Sequence, residues 1–345
     1  MKKEYIIPIF VPHLGCPNDC TFCNQKKISG QKKSVTGEEV KDIIEYYLDN
    51  FKDQDRTVEV AFFGGSFTGI DTKIQEELLL AANEYIKSGK VDGIRISTRP
   101  DYINQEILDL LKRYNVKTIE LGVQSANDFI LNKCRRGHTF EDVKNASKLI
   151  RKNKFILGHQ MMVGLPESTQ NDEIETAKKL IKLHPKMVRI YPVLVIKDTK
   201  LAEDYMSGEY KPNTLEQAVE TSAILLKMFK KEKIDVIRIG LQSTDEICNP
   251  ENESSQVVAG PYHPAFRQLV ESRICYDEFA KKIHSLNNKV KVVKVKVNGA
   301  LINNFVGHKR ENIKRIKELY DVDVVVEKDD SVKRFEVRRV VWIGR

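Results

Sequence analysis

The chain has 345 residues, 41% hydrophobic and 31% charged, enough to bury a substantial core in one large domain and a small one. No apolar run approaches bilayer-spanning length, and Pro8 and Pro12 interrupt the N-terminal run, so neither a membrane span nor a signal peptide is expected. The net charge of +8 is concentrated at one end: residues 286–345 carry 15 Lys and Arg against 8 Asp and Glu, which points to a polyanionic partner for that segment.

Residues 6–11 read as a first strand, and it runs into His13-Leu14-Gly15-Cys16-Pro17-Asn18-Asp19-Cys20-Thr21-Phe22-Cys23-Asn24. Three thiols spaced C-x3-C-x2-C suit a soft metal centre: an iron–sulfur cluster, zinc or copper(I). Three cysteines leave one iron of a four-iron cluster open to a non-protein ligand. A closed zinc site needs a fourth ligand, for which His13 is the local candidate. Cys134, Cys248 and Cys275 are scattered without pairing logic. They fit a reducing, cytoplasmic setting and a single cluster.

A helix over 37–50 leads to a strand over 58–63, which ends in Gly64-Gly65-Ser66-Phe67-Thr68. Helices are predicted over 74–87, 104–114, 140–153, 172–183 and 215–233. They alternate with strands over 93–100, 118–125, 155–166, 187–196 and 234–240. This alternation implies an α/β fold with a parallel sheet. Seven strands and no G-x-G-x-x-G after any of them favour a partial β/α barrel over a flat dinucleotide-binding sheet. Polar residues recur on the strands: Ser97 and Arg99, Glu120 and Gln124, His159 and Gln160, Arg189 and Tyr191, and Arg238. Alternate strand residues face the lumen, and barrel sites collect at strand C-termini, where Gly64, Arg99, Gln124 and Gly164 fall.

The cysteine spacing, with Phe22 before the last thiol, resembles the signature of the radical S-adenosylmethionine (radical SAM) superfamily. That resemblance implies Cys16, Cys20 and Cys23 as ligands of a [4Fe-4S] cluster whose open iron is chelated by S-adenosylmethionine. It places Phe22 near the adenine, and Gly64, Gly65, Ser66, Phe67 and Thr68 at the methionine amino group. Spacing from Pro100, Gly122-Val123-Gln124 and Gly164-Leu165-Pro166 is similar to the oxygen-independent coproporphyrinogen oxidase branch. This implies cofactor contacts at Ser97, Gln124, Arg136, Gln160 and Leu165, with Ser97 and Gln160 replacing acidic residues of that branch. Asn132 to His138, residues 158–166, 188–196 with Thr199-Lys200-Leu201, and Ser207-Gly208-Glu209-Tyr210 resemble the radical SAM half of the Elongator catalytic subunit family. The likeness runs over roughly residues 5–240. Too few residues follow for that family's acetyltransferase domain, so acetyl transfer is not expected.

Three domains are expected: a barrel over 1–245, a connecting or lid segment over 246–285, and a basic domain over 286–345. The last has β-α-α-β-β order and resembles a KH-type RNA-binding module, with Arg310 at the second glycine of G-x-x-G. Lys309, Arg310, Lys314 and Arg315 are its candidate RNA contacts, and Tyr191 and Arg238 are candidate catalytic residues on the substrate side. The reading is a radical SAM enzyme that modifies an RNA base, in tRNA above all, with electrons from a ferredoxin or flavodoxin. The alternatives are the same chemistry on a small molecule such as a tetrapyrrole, or an RNA-binding protein with a structural or redox-sensing cluster.

Overall fold

The computed structural model describes residues 3–11, 20–24, 35–53, 55–244, 246–284 and 292–341. Its contacts divide the chain into two compact units: 1–215 with 225–262, and 216–224 with 263–345.

Seven parallel strands form the main sheet of the first unit: β1 (Lys3–Val11), β2 (Arg56–Gly64), β3 (Gly93–Thr98), β4 (Val116–Gln124), β5 (Ile156–Val163), β6 (Met187–Pro192) and β8 (Asp235–Ile239). They neighbour one another in sequence order with no switch point, and β1 and β8 are the edges. A parallel sheet wound in one direction is a barrel wall left open, the partial barrel expected from the sequence. The crossovers are α1 (Gly37–Asn50), α2 (Thr72–Lys87), α3 (Gln105–Arg113), α4 (Asp128–Lys133), α5 (Phe140–Lys152), α6 (Gln170–Ile181), α7 (Lys200–Met206) and α8 (Leu215–Lys231). Their starts follow local chemistry. Thr36, Thr139 and Thr169 cap α1, α5 and α6 in reciprocal capping boxes with Glu39, Asp142 and Asp172. Asp71 and Asn104 cap α2 and α3.

The predicted strand over 187–196 is two strands. β6 stops at Pro192, which has no N–H to donate, and β7 (Val195–Ile196) pairs antiparallel with β9 (Val257–Ala259). Residues 246–262 therefore build part of the first unit. The second unit begins at His263 rather than 286, because α9 (Phe266–His284) supplies Cys275, Tyr276, Phe279 and Ile283 to its core.

The rest of that unit is β10 (Val292–Val297), α10 (Ile302–Val306), α11 (Glu311–Tyr320), β11 (Asp323–Lys328) and β12 (Val337–Val341), the β-α-α-β-β order read from the sequence. β10 is central, parallel to β11 and antiparallel to β12. Val293, Val295 and Val297 are at most 1% exposed, whereas Lys294 and Lys296 point outward to Glu327 and Asp329. No helix among the described residues is long and apolar enough to cross a membrane.

Candidate cofactor site at the strand ends

β1 and β2 end together, Val11 against Gly64. Gly64 has φ +117°, and a Cβ there would stand 2.3 Å from the Val11 carbonyl oxygen, so this glycine is required by the strand that leads into the cysteine loop. Cys16 and His13 lie outside the described residues. Cys20 is buried and Cys23 half-buried, and the Cys23 N–H donates to the Cys20 carbonyl at 2.9 Å. The loop is held from two sides: Thr21 N–H donates to the Cys134 carbonyl at 3.1 Å, and Leu201 N–H to the Thr21 carbonyl at 2.8 Å. Cys20 and Phe22 pack with Ile130, Cys134, Leu165, Val193, Leu201 and Tyr210. The motifs around 132–138, 199–201 and 207–210 thus supply the seat of the cysteine loop. Beside it, Arg136 donates from NH1 to the Cys20 sulfur at 3.6 Å. A cation at that distance favours the thiolate.

In the glycine turn, the side chains are engaged by protein. The Ser66 and Thr68 hydroxyls lie 2.8 and 2.6 Å from the Thr98 hydroxyl, and Phe67 stacks against Phe62 with ring centroids 5.0 Å apart. Ser66, Phe67 and Thr68 therefore fix the turn onto the end of β3, and what Gly64 and Gly65 leave available to a ligand is backbone. Arg99 is likewise closed off, its guanidinium held by both oxygens of Asp101 at 3.0 and 2.9 Å.

The end of β4 is bulged, and Gln124 sits at φ +69°. Two successive carbonyls there are captured from the following turn: Arg136 NH2 donates to the Gly122 carbonyl at 2.9 Å, and His138 Nε2 lies 3.3 Å from that of Val123. A carbonyl only accepts, so Nε2 carries the proton. Burial, with help from the Arg136 charge, pushes His138 down to about 3. Among the described residues, Gln124 Oε1 and Arg136 Nε are buried with no protein partner. Two orphaned polar atoms on residues flanking Cys20 are costly unless a ligand meets them. A donor and an acceptor placed so fit the polar groups of S-adenosylmethionine.

Deeper on the lumen face lies a buried ionic network. Glu120, 1% exposed, receives Arg189 Nε at 2.5 Å and NH2 at 3.0 Å, Arg95 NH1 at 3.0 Å, and Gln160 Nε2 at 3.1 Å. Arg95 also reaches Glu59, and Arg189 lies over the Phe63 ring. Burial alone would raise the Glu120 carboxyl, but the Arg189 and Arg95 guanidiniums together bring it below the ordinary carboxylate range. Gly158 makes room for it, since a Cβ there would stand 2.9 Å from Glu120 Cγ. Gln160 Nε2 also donates to Ser97 at 3.2 Å. Tyr191 lies one alternation beyond Arg189, its phenol pKa raised by burial, and Arg238 donates to Gln242 at 3.1 Å.

His159 departs from the polar set: it faces α5 and meets the Ser147 hydroxyl at 2.9 Å. Arg95 and Glu59 went unremarked in the sequence. The usable signal was parity, because Arg95 precedes Ser97 by two residues on one strand.

Leu165 packs against the cysteine loop, and the preceding turn is clamped at both backbone atoms of Gly164. The N–H donates to Glu173 at 2.5 Å, and the carbonyl accepts from the Tyr210 hydroxyl at 2.7 Å. Glu173, 4% exposed, is pushed up to about 7 by burial. Neither it nor His138 was singled out from the sequence.

In the second unit, Gly307, Lys309 and Arg310 have φ of +81°, +47° and +64°. Arg310 stands where the KH pattern has glycine, and it adopts the left-handed backbone that glycine would favour. The turn is tied down by Asn312, whose side-chain amide donates to the Asn304 carbonyl and the Ser272 hydroxyl, both at 3.0 Å. Lys309, Arg310, Lys314 and Arg315 are all exposed, and Arg315 lies over the Tyr276 ring at 4.7 Å.

Residues 10–180 match the radical SAM superfamily and residues 185–275 the radical SAM C-terminal domain. The tRNA uridine(34) acetyltransferase of Methanocaldococcus jannaschii is 31% identical over 187 residues, 47% of this chain and 34% of that protein. An uncharacterized protein of the same archaeon is 32% identical over 220 residues, 61% of this chain and 67% of that protein. Elongator complex protein 3 of Saccharomyces cerevisiae is 27% identical over 191 residues, 50% of this chain. The chain thus spans 34% of the length of both the acetyltransferase and the Elongator protein. Among solved structures, Methanocaldococcus infernus Elp3 shares the fold with a TM-score of 0.60 at 21% identity, over 85% of this chain and 66% of that one. With its cysteine loop seated at the end of the first strand of an open parallel barrel, this chain belongs to the radical SAM superfamily.

Proposed function

We propose that this chain is a radical SAM enzyme that modifies an RNA base, with tRNA as the substrate class. The observation that carries the chemistry is the pair of orphaned buried atoms, Arg136 Nε and Gln124 Oε1, on residues flanking a buried Cys20. In this reading Cys16, Cys20 and Cys23 hold a [4Fe-4S] cluster. Phe22, the backbone of the Gly64–Gly65 turn, Ser97, Gln124, Arg136, Gln160 and Leu165 receive S-adenosylmethionine. When bound and reduced by one electron from a ferredoxin or flavodoxin, that pair supplies a 5′-deoxyadenosyl radical.

The chain's own residues bind, orient and exclude water. Arg136 lowers the cost of a buried thiolate at Cys20, and its Nε–H is aimed at an acceptor such as a carboxylate. The apolar seat of Cys20, Phe22 and Leu165 keeps water from the reactive centre. Tyr191 and Arg238 are the polar groups left on the substrate side. An RNA substrate is supported by the relatives named for tRNA modification, and by the exposed cations at Lys309, Arg310 and Lys314, which suit phosphate. A base acted on by such a site is taken from a single strand or flipped out of its stack.

The test is anaerobic. With the cluster reconstituted, S-adenosylmethionine and a strong reductant are supplied, and 5′-deoxyadenosine is measured with and without bulk tRNA. Formation stimulated by tRNA is expected. Formation indifferent to tRNA would move the substrate to a small molecule, and no product from cluster-loaded, cofactor-bound protein would overturn the enzyme reading.

A further inference from the structure

Gln160 stands where the coproporphyrinogen oxidase branch has an acidic residue, and its surroundings decide what an amide can do there. Its Nε2 donates to Glu120 at 3.1 Å and to Ser97 at 3.2 Å. The Glu120 carboxylate, held ionised between Arg95 and Arg189, can only accept, so the amide cannot reverse without setting two acceptors face to face. Both amide hydrogens are thereby used. What Gln160 retains for a ligand is its carbonyl oxygen, an acceptor with the polarity of a carboxylate but no charge. Ser97 accepts from Gln160 and keeps its own O–H to donate. A glutamate at this position would place a second carboxylate about 3 Å from Glu120, where like charges repel strongly in a buried site.

We propose that Glu120 is a positioning residue that fixes the amide of Gln160, so that Gln160 and Ser97 together present one acceptor and one donor to a pair of neighbouring hydroxyls. Resting on the cofactor reading above, the hydroxyls are those of the ribose of S-adenosylmethionine. The position in the sheet supports this: Gln160 is in register with Gly122, whose carbonyl Arg136 holds two residues before Gln124. The Arg95–Glu120–Arg189 network then sets the hydrogen-bond polarity of the site without touching the ligand itself.

The experiment measures equilibrium binding, by anaerobic dialysis on the cluster-reconstituted full chain, of S-adenosylmethionine and its 2′-deoxy and 3′-deoxy analogues. Wild type is expected to prefer the ribose form over at least one analogue by roughly tenfold or more, because losing a paired hydroxyl leaves a polar group unmet. Gln160→Met keeps the size but removes the acceptor, and should bring that ratio close to one while binding of the deoxy analogue stays near wild type. Glu120→Gln, whose amide can turn a donor toward Gln160, should lower the same ratio. Should Glu120→Gln fail to fold, Gln160→Met decides alone, since it leaves the Arg95–Glu120–Arg189 pairs intact. An unchanged ratio in Gln160→Met, or no preference in wild type, overturns the inference while leaving the cofactor reading standing. Failure of wild type to bind S-adenosylmethionine at all overturns the cofactor reading, and this inference with it.

Discussion

The two units handle charge in opposite ways. In the first, Arg95, Glu120 and Arg189 are each under 10% exposed and matched in number and geometry to one another. In the second, Lys309, Arg310 and Lys314 are exposed on a left-handed turn and the helix it opens. A buried network is fixed before any ligand arrives, is scarcely screened by salt, and can impose donor and acceptor polarity on a neighbour. An exposed patch offers a field instead, tolerant of the ligand's sequence and weakened by ions. The first arrangement suits a small cofactor that must be held in one pose, the second a polyanion that must be gripped along its backbone.

The largest expected effect comes from breaking the buried side. Glu120→Ala leaves Arg95 and Arg189 facing each other without their shared carboxylate. It should cost about 3–5 kcal/mol of stability, read as a lowered midpoint in guanidinium unfolding. Removing an exposed charge such as Lys314 should change the midpoint by less than about 0.5 kcal/mol. Equal midpoints for the two variants would abolish the distinction between the units.

How far this was legible beforehand depends on the range of the signal. The period of the apolar residues and the capping threonines give the barrel's elements almost to their ends, because both are local. The cysteine spacing and the glycine turn mark the site for the same reason. Parity along a strand puts Glu120, Gln160 and Arg189 on one face, but their pairing depends on register across β3 to β6, which no short window contains. The roles of Leu201 and Tyr210 were hidden because each acts on a backbone atom of a residue far away in sequence. The break after Pro192 and the transfer of α9 to the second core are tertiary choices: the apolar pattern fits either outcome.

Glu173 sharpens the comparison inside the first unit, as a buried carboxylate with no cation opposite. With burial pushing it up to about 7 against an unfolded value near 4.5, the folded state keeps a proton that the unfolded chain releases between those pH values. Its contribution to stability is therefore present below about pH 4.5 and is lost as pH rises through 7. The loss should approach about 3 kcal/mol. Glu173→Gln retains an oxygen to accept the Gly164 N–H and has no proton to lose. Its melting temperature relative to wild type should climb between pH 5 and 7 and level off above that. Because the buried His138 and His159 titrate with the opposite sign, the difference between the two proteins is the quantity to follow. A difference that stays flat with pH would place the Glu173 carboxylate in contact with water or a cation.

The smallest effects belong to single charges of the second unit, and their value lies in contrast. Arg310→Gln and Lys314→Gln should each reduce the slope of log affinity for single-stranded RNA against log salt by about 0.7, and weaken binding across sequences alike. Lys294→Gln is the counterpart: it also removes one positive charge, but from a lysine paired with Glu327 at 2.5 Å on the sheet. If binding followed net charge alone, all three variants would shift the slope equally. If the turn at Gly307 and the start of α11 are where phosphates sit, Lys294→Gln leaves the slope unchanged while the other two lower it. Equal slopes in all four proteins would remove RNA from this surface and leave the cofactor site of the first unit without its proposed substrate class.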